Sequence, residues 1–320
     1  MKLVFCGTPR FAVPTLEALL AAGHEIPLVV SQPDRPVGRT KELTAPPVKI
    51  AALAAGLEVT QPEKIRNNQE FRARLEAIAP DAIIVVAYGR LIPPWMLALP
   101  RLGCINLHAS LLPRYRGAAP IQWAVAMGEV FTGNTTMLLE EGLDTGPILL
   151  QQALAISADQ TAAVLFDELA EGGAPLVVKT LAGLDDGSIQ PKPQKHAGAT
   201  LAPILSREDG RMDFAARTAS ELKNRWRGFQ PWPGAFTTLE GKKLIVHRMS
   251  VADPSSFAEP VSADAGLIHV EQHQLFVACA QATWLELIEV QLEGKKRLTA
   301  AEFLRGNALA DGALLGTQAQ

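Results

Sequence analysis

The first half of the chain alternates short, strongly apolar runs with stretches of helical periodicity, and this alternation limits the fold most. Residues 2–7, 26–31, 57–60, 81–87 and 103–108 read as strands. Between them, residues 11–22, 48–55 and 70–79 repeat apolar side chains at helical spacing. Near-continuous apolar strands are buried on both faces, and strands that alternate with helices form right-handed βαβ units. The expected class is therefore α/β: a Rossmann-like, mostly parallel sheet with helices on both faces. A helix is expected at 121–127 and further strands at 135–140 and 148–156. A long amphipathic helix at 161–184 follows, with an expected interruption near Gly172 and Gly173.

The character changes after Asp185-Asp186-Gly187. Gln190-Pro191-Lys192-Pro193-Gln194-Lys195 reads as an extended linker. Beyond a short helix at 220–229, short strands recur at 235–239, 243–250, 266–271, 274–280 and 283–291, with a last helical turn at 300–304. Five short strands suggest a small OB-like β-barrel, a fold often used on nucleic acids. The expected organisation is a catalytic domain over 1–187, a linker over 188–205 and a C-terminal OB-like domain over 206–320.

Bulk properties exclude several classes. A chain of 320 residues, 48% hydrophobic and 20% charged, is a globular protein and not a disordered one. Cys6, Cys104 and Cys279 lie far apart and form no C-x-x-C pair, so neither a disulfide framework nor a metal site is expected. A reducing cytoplasm and a monomer are the default expectations. The longest strongly apolar run, residues 82–87, is too short to cross a membrane. The first strand ends in Gly7-Thr8-Pro9-Arg10-Phe11-Ala12, which is not G-x-G-x-x-G, so a nicotinamide oxidoreductase is disfavoured. Net charge is −3, and residues 206–320 hold 13 Lys and Arg against 14 Asp and Glu. Any polyanion must therefore meet local clusters such as Lys242-Lys243 and Lys295-Lys296-Arg297.

Candidate chemistry concentrates in Cys104-Ile105-Asn106-Leu107-His108-Ala109-Ser110-Leu111-Leu112-Pro113-Arg114-Tyr115-Arg116-Gly117. Side chains alternate along a strand, so Asn106 and His108 share a face at the carboxyl end, where open α/β sheets bind ligands. An amide donor beside an imidazole suits a carbonyl carbon whose oxygen gains negative charge. The plainer alternative is two satisfied polar residues at a strand end. In Gly142-Leu143-Asp144-Thr145-Gly146, Asp144 is either a turn former or a carboxylate that orients an imidazole or takes a proton from an attacking amine. The connection from Gln32 to Pro47 exceeds the usual 2–6 residues or so. It carries Arg35, Arg39 and Lys41, and is either a basic arm for a phosphate backbone or a solvated loop.

Asn106-Leu107-His108-Ala109-Ser110-Leu111-Leu112-Pro113-Arg114-Tyr115-Arg116-Gly117 resembles the signature of the folate-dependent formyltransferases, and Gly142 to Gly146 resembles their second catalytic loop. The likeness extends through Phe5-Cys6-Gly7-Thr8-Pro9, Gln32-Pro33-Asp34-Arg35-Pro36, Val86-Ala87-Tyr88-Gly89, Glu208-Asp209-Gly210-Arg211 and Pro231-Trp232-Pro233, nearly the whole chain. The arm and the C-terminal segments are similar to those of the members that act on tRNA.

The resemblance implies 10-formyltetrahydrofolate as formyl donor and the α-amino group of methionine on initiator tRNA as acceptor, with no metal. It implies Asn106, His108 and Asp144 as the catalytic group. Tyr88, Gly89 and Leu91, with Ser110, Leu111, Leu112 and Pro113, are then expected to line the folate. Arg35, Arg39 and Lys41 on the arm, and Lys242 and Lys243 on the barrel, are expected to meet the tRNA. Two positions depart from the family pattern: Glu42 follows Lys41 where a second basic residue is common, and Asn134 stands where an apolar residue is common. The competing readings are formyl transfer to an amino-sugar nucleotide or a small amine, and a non-catalytic RNA-binding module on a Rossmann-like scaffold.

Overall fold

The computed structural model describes residues 1–37, 42–259, 261–262, 264–307, 309 and 312–316. Two compact units divide the chain. One holds Met1–Ile121, Val130–Ile156 and Val164–Pro203; the other holds Gln122–Glu129, Ser157–Ala163 and Ile204–Gln320.

In the first unit the elements run β1 (Lys2–Gly7), α1 (Val13–Ala21), β2 (Glu25–Val30), β3 (Arg35–Val37), β4 (Glu42–Thr44), α2 (Pro47–Ala54), β5 (Val59–Thr60) and α3 (Gln69–Ile78). They continue through β6 (Ala82–Val86), α4 (Pro94–Leu97), β7 (Cys104–His108), β8 (Phe131–Leu138), β9 (Ile148–Ala155) and α6 (Ala162–Asp185), while most of α5 (Pro120–Ala126) belongs to the second unit. The sheet order is β5-β2-β1-β6-β7-β8-β9. The first five strands are parallel, as expected. Strands β8 and β9 run antiparallel to their neighbours, so the sheet is mostly but not wholly parallel, as expected. Only residues 139–147 join β8 to β9, too few for a parallel crossover, which needs a dozen or more.

Apolar layers cover both faces. Val4, Cys6, Leu28, Ile83, Val85 and Cys104 pack with Phe71 and Leu75 of α3 and Met96 of α4. On the opposite face Leu107 meets α6: a Cβ added at Gly173 would stand 2.6 Å from Leu107 Cδ2. This explains why α6 runs without the interruption expected at Gly172-Gly173, and carries Pro175 inside it as well. The missing side chains let the helix lie close against the sheet. Asn134, unexplained by sequence, donates its amide to the Leu169 carbonyl of α6 at 2.8 Å. An apolar residue there would lack that bond between β8 and the helix.

The connection from Gln32 to Pro47, read as a loop, contains a hairpin in which Arg35 pairs with Thr44 and Pro36 with Leu43. Arg39 and Lys41 lie outside the described residues. The segment 188–205 is extended apart from a short helical turn at His196–Gly198, and it is held down: Ile148 and Lys192 exchange backbone bonds of 2.8 Å, and Arg116 pairs with Thr200 and Ala202.

The second unit comprises α7 (Ala219–Gly228), β10 (Phe236–Leu239), β11 (Lys242–Ala252), β12 (Ile268–Glu271), β13 (Gln274–Cys279), β14 (Thr283–Leu292), β15 (Leu298–Thr299) and α8 (Ala300–Gly306), besides residues 122–129 and 157–163. Its antiparallel order is β10-β11-β14-β13-β12, with β15 on β14. Among the described residues no ladder joins β10 directly to β12; residues 312–316 lie between them, bonding to Gly266 and Ile268 on the β12 side and, through the Gly316 amide, to the Thr238 carbonyl of β10. Leu244, Val246, Leu275, Val277, Leu285 and Phe303 form the core of this unit. Capping boxes start both helices: the Thr218 and Thr299 hydroxyls accept from Glu221 and Glu302 amides, and each glutamate answers its threonine.

Candidate active site

Strand β7 delivers Asn106 and His108 to one face. Register places Asn106 beside Val85 of β6 and Met137 of β8, and His108 beside Thr135. Both are buried, with 9% and 6% exposed. Among the described residues the Asn106 amide has no hydrogen-bond partner. A buried amide left open at the carboxyl end of a parallel strand is a donor available to a ligand.

His108 Nε2 lies 2.9 Å from the Tyr115 carbonyl. A carbonyl only accepts, so Nε2 donates. Nδ1 then faces Asp144 Oδ2, 3.8 Å away. Asp144 adopts a left-handed φ of 50°, and its Oδ2 accepts from the Gly117 amide at 2.8 Å. Asp144 therefore shapes a turn and also places its carboxylate toward the imidazole.

The loop after β7 is fastened to β8 and β9. Thr135 Oγ1 donates to the Ser110 carbonyl at 2.6 Å and accepts from the Leu112 amide at 3.2 Å. Gln151 Nε2 donates to the Leu112 carbonyl and to Thr135 Oγ1, each at 2.9 Å. Ser110 is fully buried and its hydroxyl donates to the Arg114 carbonyl at 2.7 Å. Leu112 is buried too. Ser110 and Leu112 thus build the loop, and Leu111 and Pro113 are its partly exposed apolar members.

The loops after β1, β2 and β6 also meet. Thr8 Oγ1 and Gln32 Nε2 donate to the Tyr88 carbonyl at 3.0 and 3.2 Å, and Arg90 Nε donates to Gln32 Oε1 at 3.0 Å. The Tyr88 ring is 2% exposed and packs into the core beside Val4 and Cys6. Burial pushes its phenol far above the ordinary value. Tyr88 therefore faces the site with backbone, not with its ring. Gly89 has a φ of 81° and Leu91 is 75% exposed. Of the basic candidates, Arg35 is exposed on β3 and Lys242 opens β11. Lys243 Nζ sits 4.0 Å from the Phe236 ring centroid, a cation–π contact. Among the described residues no group of three or more His, Cys, Asp or Glu could hold a metal.

Residues 1–181 match the family described as Formyl transferase, and residues 204–308 match Formyl transferase, C-terminal domain. The chain belongs to the formyl transferase family. It is 66% identical over 316 residues to a methionyl-tRNA formyltransferase of Acidobacterium capsulatum, covering 99% of this chain and all of that one. It is 58% identical to the methionyl-tRNA formyltransferase of Koribacter versatilis, covering 96% of each. Among solved structures, a sugar 3N-formyl transferase shares the fold at a TM-score of 0.63 and 16% identity, covering 92% of this chain and 99% of that one. An N-formyltransferase from Helicobacter canadensis, solved with folinic acid, matches at a TM-score of 0.63 and 17% identity, covering 90% of this chain and 98% of that one.

Within this family member, several residues that organise the site escaped sequence reasoning. Thr135, Gln151 and Gln194 lie on β8, β9 and the 188–205 segment, and Arg116 was read only as part of a motif. Arg116 and Gln194 are each 7% exposed. An arginine among apolar and glycine neighbours hints at burial; nothing local in Pro193-Gln194-Lys195 does.

Proposed function

We propose that the chain transfers a formyl group from 10-formyltetrahydrofolate to the free amino group of methionyl-initiator tRNA, and that Asn106, His108 and Asp144 carry the chemistry. The observation behind the chemistry is the convergence of the open Asn106 amide with the His108–Asp144 pair. Full-length similarity to methionyl-tRNA formyltransferases supports the acceptor. Residues 1–187 take the catalytic role and 206–320 the tRNA role, joined by 188–205.

The folate supplies the one-carbon unit. The Asn106 amide donates to the formyl oxygen as negative charge develops there. His108 assists as the imidazolium, donating Nδ1–H to that oxygen, since Nε2–H is committed to the Tyr115 carbonyl. Losing one donor of this kind typically costs about 3–4 kcal/mol of barrier. Asp144 orients the imidazole and receives the proton that the attacking amine sheds. The formyl carbon–nitrogen bond to the donor then breaks, and the donor nitrogen leaves as the amine of tetrahydrofolate, taking up that proton. The attacking amine is an adequate nucleophile, so no covalent link to the protein is needed. Gly89 and Leu91, the Tyr88 backbone, and the loop from Ser110 to Pro113 bound the folate side. Arg35, Arg39, Lys41, Lys242 and Lys243 meet phosphates of the tRNA.

The test is a competition. Labelled formyl donor is mixed with the protein, methionyl-initiator tRNA and an amino-sugar nucleotide. Label should accumulate as N-formylmethionyl-tRNA. Label on the sugar, or on neither acceptor, would refute the proposal.

A further inference from the structure

The two segments that bring the site together are joined by one side chain outside both. Gln194 donates its amide hydrogens to the Asp144 carbonyl at 2.9 Å and the Gly146 carbonyl at 2.8 Å. Its Oε1 accepts from Arg116 Nη2 at 2.6 Å and Nε at 3.2 Å. All the polar capacity of one buried amide is therefore used, half on each loop. Arg116 lies between Tyr115, whose carbonyl holds His108 Nε2, and Gly117, whose amide holds the Asp144 carboxylate. Its own backbone is fixed by Thr200 and Ala202, at 2.8 and 2.7 Å. The remaining guanidinium contact is to His196 Nδ1, at 3.4 Å.

We infer that Gln194 is a positioning residue for formyl transfer: it clamps the Asp144 loop to Arg116 and so holds the carboxylate against His108. The inference rests on the reading of Asp144 as a member of the site. The clamp matters because the loop has little else. Besides Gln194 and Gly117, its anchors among the described residues are the Thr145–Glu140 bond at 2.6 Å, which is exposed, and the Leu138–Pro147 backbone pair at its base. A loop free to swing by about 1 Å spoils a reacting geometry without weakening substrate binding.

The two halves of the amide can be separated. Gln194→Glu keeps size and shape, and still accepts from Arg116. It cannot donate to Asp144 and Gly146, and sets a carboxylate oxygen against their carbonyls. The measurement is kcat and both KM values for formyl transfer, on wild type, Gln194→Glu, Asp144→Asn and the double variant, with thermal unfolding followed for each. Gln194→Met, of similar length, replaces the glutamate variant if that one is too unstable. The expected result is a kcat at least tenfold lower with KM values within twofold, and a double variant no slower than Asp144→Asn. A defect of folding alone would instead multiply with the Asp144 loss. A kcat for Gln194→Glu within twofold of wild type, while Asp144→Asn is slow, overturns the clamp and leaves the site standing. Full activity in Asp144→Asn overturns both.

Discussion

Gly117→Ala is a small perturbation with a worked consequence. Gly117 has a φ of +118°, where an L side chain is strained by about 1–3 kcal/mol. An added Cβ would stand 2.7 Å from the Ala202 carbonyl oxygen. That oxygen is backbone, held by the Ala119 amide at 3.1 Å, so it cannot move aside as a flexible side chain would. The residue must retreat instead, and its amide is the donor to Asp144 Oδ2 at 2.8 Å. A hydrogen bond to a charged group contributes about 1.5–3 kcal/mol. If that whole contribution is absent in the transition state, kcat falls roughly 10- to 150-fold, at 1.36 kcal/mol per tenfold. Folding stability should fall by about 1–3 kcal/mol, from the strain. The assay is formyl transfer at saturating donor and tRNA, alongside thermal unfolding. A folded Gly117→Ala with kcat within twofold of wild type would refute the reasoning, because Asp144 would then not depend on that amide.

Other outcomes are open to simpler checks. All three cysteines are buried, and burial pushes the Cys104 and Cys279 thiols up to about 12. A thiol reagent at pH 8 should label none of them in the native protein and all three after denaturation; rapid native labelling would contradict this burial. Because the folded values lie above the unfolded value of about 8.5, the associated stability is complete below that pH. It is lost as pH climbs toward 12, so unfolding should become easier through that alkaline window. Substituting Lys242 and Lys243 by Ala should weaken tRNA binding and lower its salt slope by up to about 0.9 per lost phosphate contact. Donor affinity should not move, and an unchanged salt slope would return these lysines to a solubility role.

The parallel half of the sheet was legible because β1, β2, β6 and β7 are apolar runs bounded by turns and helices, and local pattern decides such elements. Asn106 and His108 were legible for the same reason, since strand alternation alone puts them on one face. The antiparallel return of β9 onto β8 has a signal in the short 139–147 connection. The unbroken course of α6 had none. Gly172 and Gly173 weaken a helix locally, and only contact with Leu107 and Asn134 reveals why they are there. Gln194 lies 50 residues from Asp144 and 78 from Arg116. A clamp between such distant segments comes from tertiary packing, which periodicity and turn chemistry do not encode. The inward course of the Tyr88 ring has no local signal, because a tyrosine after a buried strand can turn either into the core or into the cleft.

The most direct test of the convergent site is the single-turnover rate of formyl transfer to methionyl-initiator tRNA by His108→Ala and Asn106→Ala, with folding verified. Each variant should be slower by about 10²–10³, the usual effect of removing one donor to a developing oxyanion. Rates within a few-fold of wild type in both variants would contradict the assignment of the reaction to this strand end.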